Sequence, residues 1–130
     1  MQPGVERLYE HSSATIAELD EQTLYLAVGG DVREEDLEPF FDTFEPLVSE
    51  RGPVRILVDA TYLGETALSL RWQIMKRMSG LRSVVDRMAI FGLSPRLEIL
   101  LWLAFTLRGR EDVRTFLWRH EAESWVLGAG

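Results

Sequence analysis

Cysteine is absent from this 130-residue chain. Disulfide bridges, thiolate metal sites and cysteine nucleophiles are therefore excluded together. Histidine is scarce: only His11 and His120 occur, too few for a multi-histidine metal centre. No basic segment leading into an apolar one opens the chain, and no run reaches the ~20 apolar residues of a spanning helix. A soluble, cytoplasmic protein without a transmembrane segment is expected. Internal repeats, low-complexity stretches and linker-like segments are also missing, so residues 1–130 are expected to form a single domain. What is present, 46% hydrophobic and 27% charged residues, is the composition of an ordinary globular protein.

The formal net charge is −7, which argues against nucleic acid as a partner, since such domains carry a basic footprint. The charge is uneven. Residues 1–65 hold 4 basic and 15 acidic side chains, whereas residues 66–130 hold 10 basic and 6 acidic ones. Arg71, Lys76, Arg77, Arg82 and Arg87 lie in one stretch with only Asp86 opposing them. The expected role of these cations is a solvated helix face paired with acids from the first half, rather than an anion site.

Periodicity alternates between strand and helix. Residues 5–10 are a weak strand candidate. Ala14 to Leu19 and Thr23 to Val28 read as a hairpin turning at Asp20-Glu21-Gln22. In its second arm Leu24, Leu26 and Val28 alternate with Thr23, Tyr25 and Ala27, the pattern of a strand with one buried face. Between Arg33 and Glu50, Leu37, Phe40, Phe41, Phe44, Leu47 and Val48 recur at helical spacing, behind an acidic first turn that suits the helix dipole. Pro46 should kink this helix. Val54 to Asp59 reads as an interior parallel strand, predicting burial of Val54, Ile56, Leu57 and Val58.

A second helix is expected from about Thr66 to Ser79. Its apolar residues make two stripes, one through Ala67, Leu70, Ile74 and Met78, the other through Leu68, Trp72 and Met75. Met88 to Phe91 is a further strand, and Ser94-Pro95 reads as the cap and first turn of a third helix reaching about Leu107. From Leu97 to Leu107 only Glu98 and Thr106 are polar, so apolar side chains circle its axis. Val113 to Leu117 forms a last strand, and a short final helix carries Ala122, Trp125 and Val126 on one side. The order β-β-β-α-β-α-β-α-β-α predicts an α/β domain: a mixed β-sheet with an N-terminal hairpin and about four helices, which cover at least one face.

Candidate chemistry is sparse. Asp59 falls at the carboxyl end of the central strand, where open α/β sheets place ligands, and Thr61, Glu65 and Ser94 are placed to converge on it. No histidine, cysteine or lysine joins that set, so no nucleophile–base pair can be assembled. Asp59 is expected to bond the backbone of a Thr61–Gly64 turn. His120 and Glu123 have an i, i+3 spacing but lack a third ligand, so no metal site is assigned and no cofactor is implied. Gly29-Gly30 lacks the spacing of a phosphate-binding loop.

Gly30 to Phe40, Ile56 to Thr61, Leu68 with Trp72, Val113 to Phe116 and Glu121 to Leu127 together resemble the STAS superfamily, and within it the SpoIIAA-like (STAS/SEC14-like) branch. The resemblance covers nearly the whole chain. It implies a binding and switching module without catalytic activity. Relatives that antagonise anti-sigma factors carry a phosphorylated serine in an Asp-Ser-Ser-Gly segment at the start of the helix after the central strand. The corresponding stretch here, Gly64 to Leu70, lacks that signature, although Thr66 and Ser69 sit nearby. Thr66 suits a helix cap better than a phosphorylation site.

The expected function is thus a small non-enzymatic binding or regulatory module. Its ligand or partner surface would run over the second and third helices, through Leu68, Trp72, Met75, Leu97, Leu101, Trp102 and Phe105. A helix apolar all round must be covered on several sides or meet lipid. A homodimer is the expected partner, ahead of an apolar or lipid-like ligand, because closed two-fold dimers are the commonest oligomers. The alternative is a partner switch of the anti-sigma-antagonist type, controlled by phosphorylation.

Overall fold

Three residues of opposite preference turn the chain first. Asp20 accepts a hydrogen bond from the Gln22 N–H (2.7 Å), and the Leu19 N–H closes onto the Thr23 carbonyl (3.0 Å). This Asx-type turn joins β2 (Ala14–Glu18) to β3 (Thr23–Gly30) as the antiparallel hairpin that the sequence predicts. The computed structural model describes residues 7–10, 14–63, 68–95 and 112–128. Within them β1 (Arg7–Glu10) flanks β2, and β4 (Val54–Leu63), β5 (Val85–Phe91) and β6 (Val113–Phe116) follow β3 in parallel. The six strands lie in chain order, β1-β2-β3-β4-β5-β6. The result is a mixed α/β fold.

Helix α1 (Glu34–Glu50) and helix α2 (Leu68–Ser79) connect the parallel strands, and α3 (Arg119–Val126) follows β6. A single 3-10 turn, Arg82–Val84, leads into β5. The apolar helix expected from Pro95 lies outside the described residues apart from its start. α1 begins where the Arg33 N–H donates to the Asp36 carboxylate (2.9 Å), and it runs as one element through Pro39 and Pro46, both exposed.

Two clusters of buried residues divide the sheet. On one face Leu37, Phe41, Phe44 and Val48 of α1 and Leu70 of α2 meet Ile16, Leu24, Leu26, Val54, Ile56 and Val58. On the other, Ala122 and Val126 of α3 cover Leu57, Ala89 and Phe91. The central strand is buried as predicted, with Val54 and Ile56 at 0%, Leu57 at 1% and Val58 at 7% exposure. β3 departs from its pattern. Thr23, on the side read as open, is buried too.

One charged group is buried at the hairpin end. Glu18 accepts from the Tyr9 hydroxyl (3.1 Å) and pairs with Arg51, the residue that ends α1. That pair ties the last turn of α1 to β2, and removing one partner would leave the other charge uncompensated.

The expected strand ending at Asp59 instead continues to Leu63. While β3 advances from Ala27 to Gly29, β4 advances from Asp59 to Tyr62, so β4 carries one extra residue. The bulge reverses which face each side chain meets. Ala60 and Leu63 therefore both reach the α1 side, and Tyr62 stands on the α3 side, where a Cβ on Gly29 would lie 3.7 Å from its own.

Candidate functional site

All four parallel strands end at the same edge of the sheet, and a polar network is built there on the α3 face. Asp59 stands on β4 and Tyr25 on β3, two residues short of the position opposite Asp59. The Tyr25 hydroxyl donates to Asp59 Oδ2 (2.7 Å), and the Thr61 N–H donates to Oδ1 (2.9 Å). The bond to Thr61 is the one the sequence predicts. Its setting differs, because Thr61 belongs to the prolonged strand rather than to a turn.

Helix α3 closes the network from above. Arg119 opens that helix, bonds Glu123 one turn later (2.6 Å) and lays its guanidinium 5.0 Å from the centre of the Tyr25 ring. Burial would raise the Asp59 pKa, but the donations from Thr61 and Tyr25 and the nearby Arg119 charge together hold it below the usual value. Burial, then the bond to Asp59, push Tyr25 up to about 12. Arg119 is raised chiefly by its bond to Glu123. At neutral pH the network is thus a carboxylate, a neutral phenol and a paired guanidinium, fixed in those states.

A second set of contacts adjoins it. The guanidiniums of Arg87 (5.3 Å) and Arg114 (5.4 Å) both lie near the Trp125 ring, which packs on Phe116. Arg87 also donates to the Trp125 carbonyl (2.7 Å). Around the rim stand Tyr62, Leu117 and Trp118, exposed by 79%, 67% and 61%. Gly92 seals the edge, since a Cβ there would lie 2.4 Å from Thr61 Oγ1 and its φ is +84°.

The structure sorts the predicted site residues plainly. Asp59 and Thr61 are joined, and exposed Ser94 lies two residues beyond Gly92 on the same edge. Glu65, Thr66, Leu97, Leu101, Trp102 and Phe105 fall outside the described residues, as does the side chain of Leu68. On α2, Leu70 is buried and Ile74 and Met78 pack on the core, while Trp72 is 56% exposed and Met75 partly so. The two stripes therefore face in different directions, and Ser69 is exposed beside the second.

Among the clustered cations, Arg77 pairs with Glu38 and Glu45 of α1, over the ring of Phe41, as the charge balance predicts. Glu123 is engaged by Arg119, and the described residues hold no group of three or more potential metal ligands. No helix among them is long and apolar enough to cross a membrane.

Sequence reasoning missed Tyr25 and Arg119 as neighbours of Asp59, and Glu123 as the partner of Arg119. The available signal was the final helix, whose apolar side required a sheet face to cover.

The SpoIIAA-like family model matches residues 23–127, the span from β3 to the end of α3. The chain belongs to the SpoIIAA-like family. Two solved structures share its fold. A Shewanella loihica protein with a SpoIIAA-like fold superposes with a TM-score of 0.66 at 19% identity, covering 92% of this chain and 90% of the other. The anti-sigma factor antagonist SpoIIAA, in its unphosphorylated form, gives a TM-score of 0.65 at 18% identity, covering 91% of this chain and 99% of its own. No curated protein matches the chain significantly.

Proposed function

We propose that this SpoIIAA-like chain is a non-catalytic binding and regulatory module of the cytoplasm, formed by residues 1–130 as one domain. Its working surface is the outer stripe of α2, which takes a protein partner or an apolar, lipid-like ligand together with the apolar segment around Leu97, Leu101, Trp102 and Phe105. The observation that supports this reading is Trp72. A 12-residue helix already seats Leu70, Ile74 and Met78 in the core, yet it also holds a tryptophan 56% exposed beside Met75. Large exposed aromatics of this kind contribute most where a partner desolvates them. The Asp59 network fits a non-catalytic reading, because the Asp59 carboxylate is engaged by the Tyr25 hydroxyl and the Thr61 N–H.

The test compares the wild type with Trp72→Glu in two assays. Co-sedimentation with neutral and with anionic phosphatidylglycerol vesicles reads the lipid arm, and co-purification from the native cell reads the protein arm. Binding in either assay that a folded Trp72→Glu variant loses supports the proposal; binding unchanged by the variant removes α2 from it.

A second reading, a phosphorylation-controlled partner switch, draws on exposed Ser69 in the first turn of α2. Phosphate on Ser69 in cells, with a partner lost in Ser69→Glu, would establish it.

A further inference from the structure

We propose that the groove between α1 and α2 binds a small zwitterion with an apolar body, a free amino acid or a short peptide. The groove holds about 520 Å³, within the usual size range of small-molecule sites. Leu37 of α1 and Leu81, just beyond α2, line it while standing only 7% and 8% exposed, so its floor is apolar and continuous with the core.

The charges around that floor choose the ligand. Arg77 pairs with Glu38 and with Glu45 (2.8 Å to each), its guanidinium 4.6 Å from the centre of the Phe41 ring, so these groups satisfy one another. Lys76 and Glu34 are left over. Both line the groove and are exposed, and neither has an ion-pair partner among the described residues. They share the groove without reaching each other, and a ligand of both signs can bridge them, its carboxylate on Lys76 and its ammonium on Glu34. Gln73, exposed in the same groove, adds an amide that donates to the one and accepts from the other. A ligand of one sign does worse. Three carboxylates line the groove against Lys76 and Arg77, so a bare anion is the poorest occupant. A bare cation gains Glu34 but leaves Lys76 opposed to it.

Trp72 and Met75 do not line this groove, so the site is separate from the outer stripe of α2, and the test keeps the two apart. Amide shifts of the isotope-labelled full chain are followed while free leucine and the dipeptide Ala-Leu are titrated in separate arms to about 20 mM. At least one of them is expected to move the amides of Gln73, Lys76 and Gly80 with a dissociation constant of about 1 mM or below, and the tighter arm names the source. The amidated forms, which keep only the ammonium, are expected to bind about tenfold more weakly, and the acetylated forms, which keep only the carboxylate, more weakly still. Lys76→Glu and Glu34→Lys are each expected to weaken binding about tenfold, with unchanged far-UV circular dichroism, and Trp72→Glu to bind as the wild type does. Should either charge reversal lose its fold, Lys76→Gln or Glu34→Gln takes its place. Unmoved amides in both arms overturn the proposal. So do blocked forms that bind as tightly as the zwitterions, binding undiminished in Lys76→Glu, or binding lost in Trp72→Glu.

Discussion

Ile56 and Leu57 are neighbours in β4, yet their side chains end in unlike surroundings. Ile56 points into the cluster under α1 and α2, among Leu24, Phe41, Phe44 and Met88. Leu57 points under α3, among Ala89, Phe91, Ala122 and Val126. The first face is filled by a 17-residue helix with three phenylalanines in mutual ring contact. Among the described residues, the second is covered by an eight-residue helix whose buried members are an alanine and a valine. Apolar burial is non-directional and scales with area, so the wider face supplies most of the stability. The thinner cover is completed by directional contacts instead: Tyr25 to Asp59, Arg119 to Glu123, and two guanidiniums on Trp125. Its margins leave Tyr62, Leu117 and Trp118 exposed.

That contrast is broken most directly in the core. Phe44→Ala is expected to cost about 3–5 kcal/mol and Ile56→Ala about 2–5 kcal/mol in urea denaturation, the ordinary range for filled sites. Leu57→Ala should fall at the low end of the same range, because a short helix can settle onto the smaller side chain more readily than α1 can. A loss below about 0.5 kcal/mol at Ile56 would show that the strand is peripheral. A larger loss at Leu57 than at Phe44 would reverse the ranking of the two faces.

The directional contacts come next. Asp59→Ala leaves the Tyr25 hydroxyl and the Thr61 N–H without their acceptor, which should cost about 1–3 kcal/mol. Tyr25→Phe removes one bond and should cost about 1 kcal/mol. The two also differ in pH. Asp59 titrates lower in the folded chain than its ordinary 3.8, so its stabilisation is present above about that pH and is lost as pH falls through the folded value. Tyr25 is raised from 10.0 to about 12, so its contribution is present below pH 10 and disappears between there and about 12. Urea midpoints across pH should accordingly show a flatter acid limb in Asp59→Asn and a flatter alkaline limb in Tyr25→Phe. Limbs identical to those of the wild type would mean that the pair does not form in solution.

How much of this was legible follows from range. The central strand could be read because Val54, Ile56, Leu57 and Val58 sit in one nearly continuous local apolar run, and the Asp59–Thr61 bond spans two residues. The Tyr25–Asp59 bond spans 34 residues and depends on register between parallel strands, which no local pattern records. The extra residue in β4 is similarly silent: nothing in Ala60-Thr61-Tyr62 announces a bulge, and without it Tyr62 would be placed on the wrong face. The apolar pattern places the end of the last strand at Leu117, whereas β6 stops at Phe116 and leaves Leu117 exposed. The outer stripe of α2 was legible as an excess, since a helix needs only one stripe to pack.

The smallest expected effect is at Trp72, and it sharpens the comparison because Trp125 offers the same side chain on the other face. Trp125 is half-buried, with guanidiniums at 5.3 and 5.4 Å and the Phe116 ring at 5.8 Å, so Trp125→Ala removes packing and two cation–π contacts at once. Trp72 has no aromatic or cationic contact of this kind among the described residues, and more than half of it meets solvent. Trp72→Ala should therefore change stability by less than about 0.5 kcal/mol, the range of surface substitutions away from special features. Tryptophan fluorescence should agree: acrylamide is expected to quench more of the wild-type emission than that of Trp72→Phe, because the variant lacks one of the accessible indoles. Equal quenching, or a Trp72→Ala cost matching that of Trp125→Ala, would mean that the outer stripe of α2 belongs to the fold rather than to a partner.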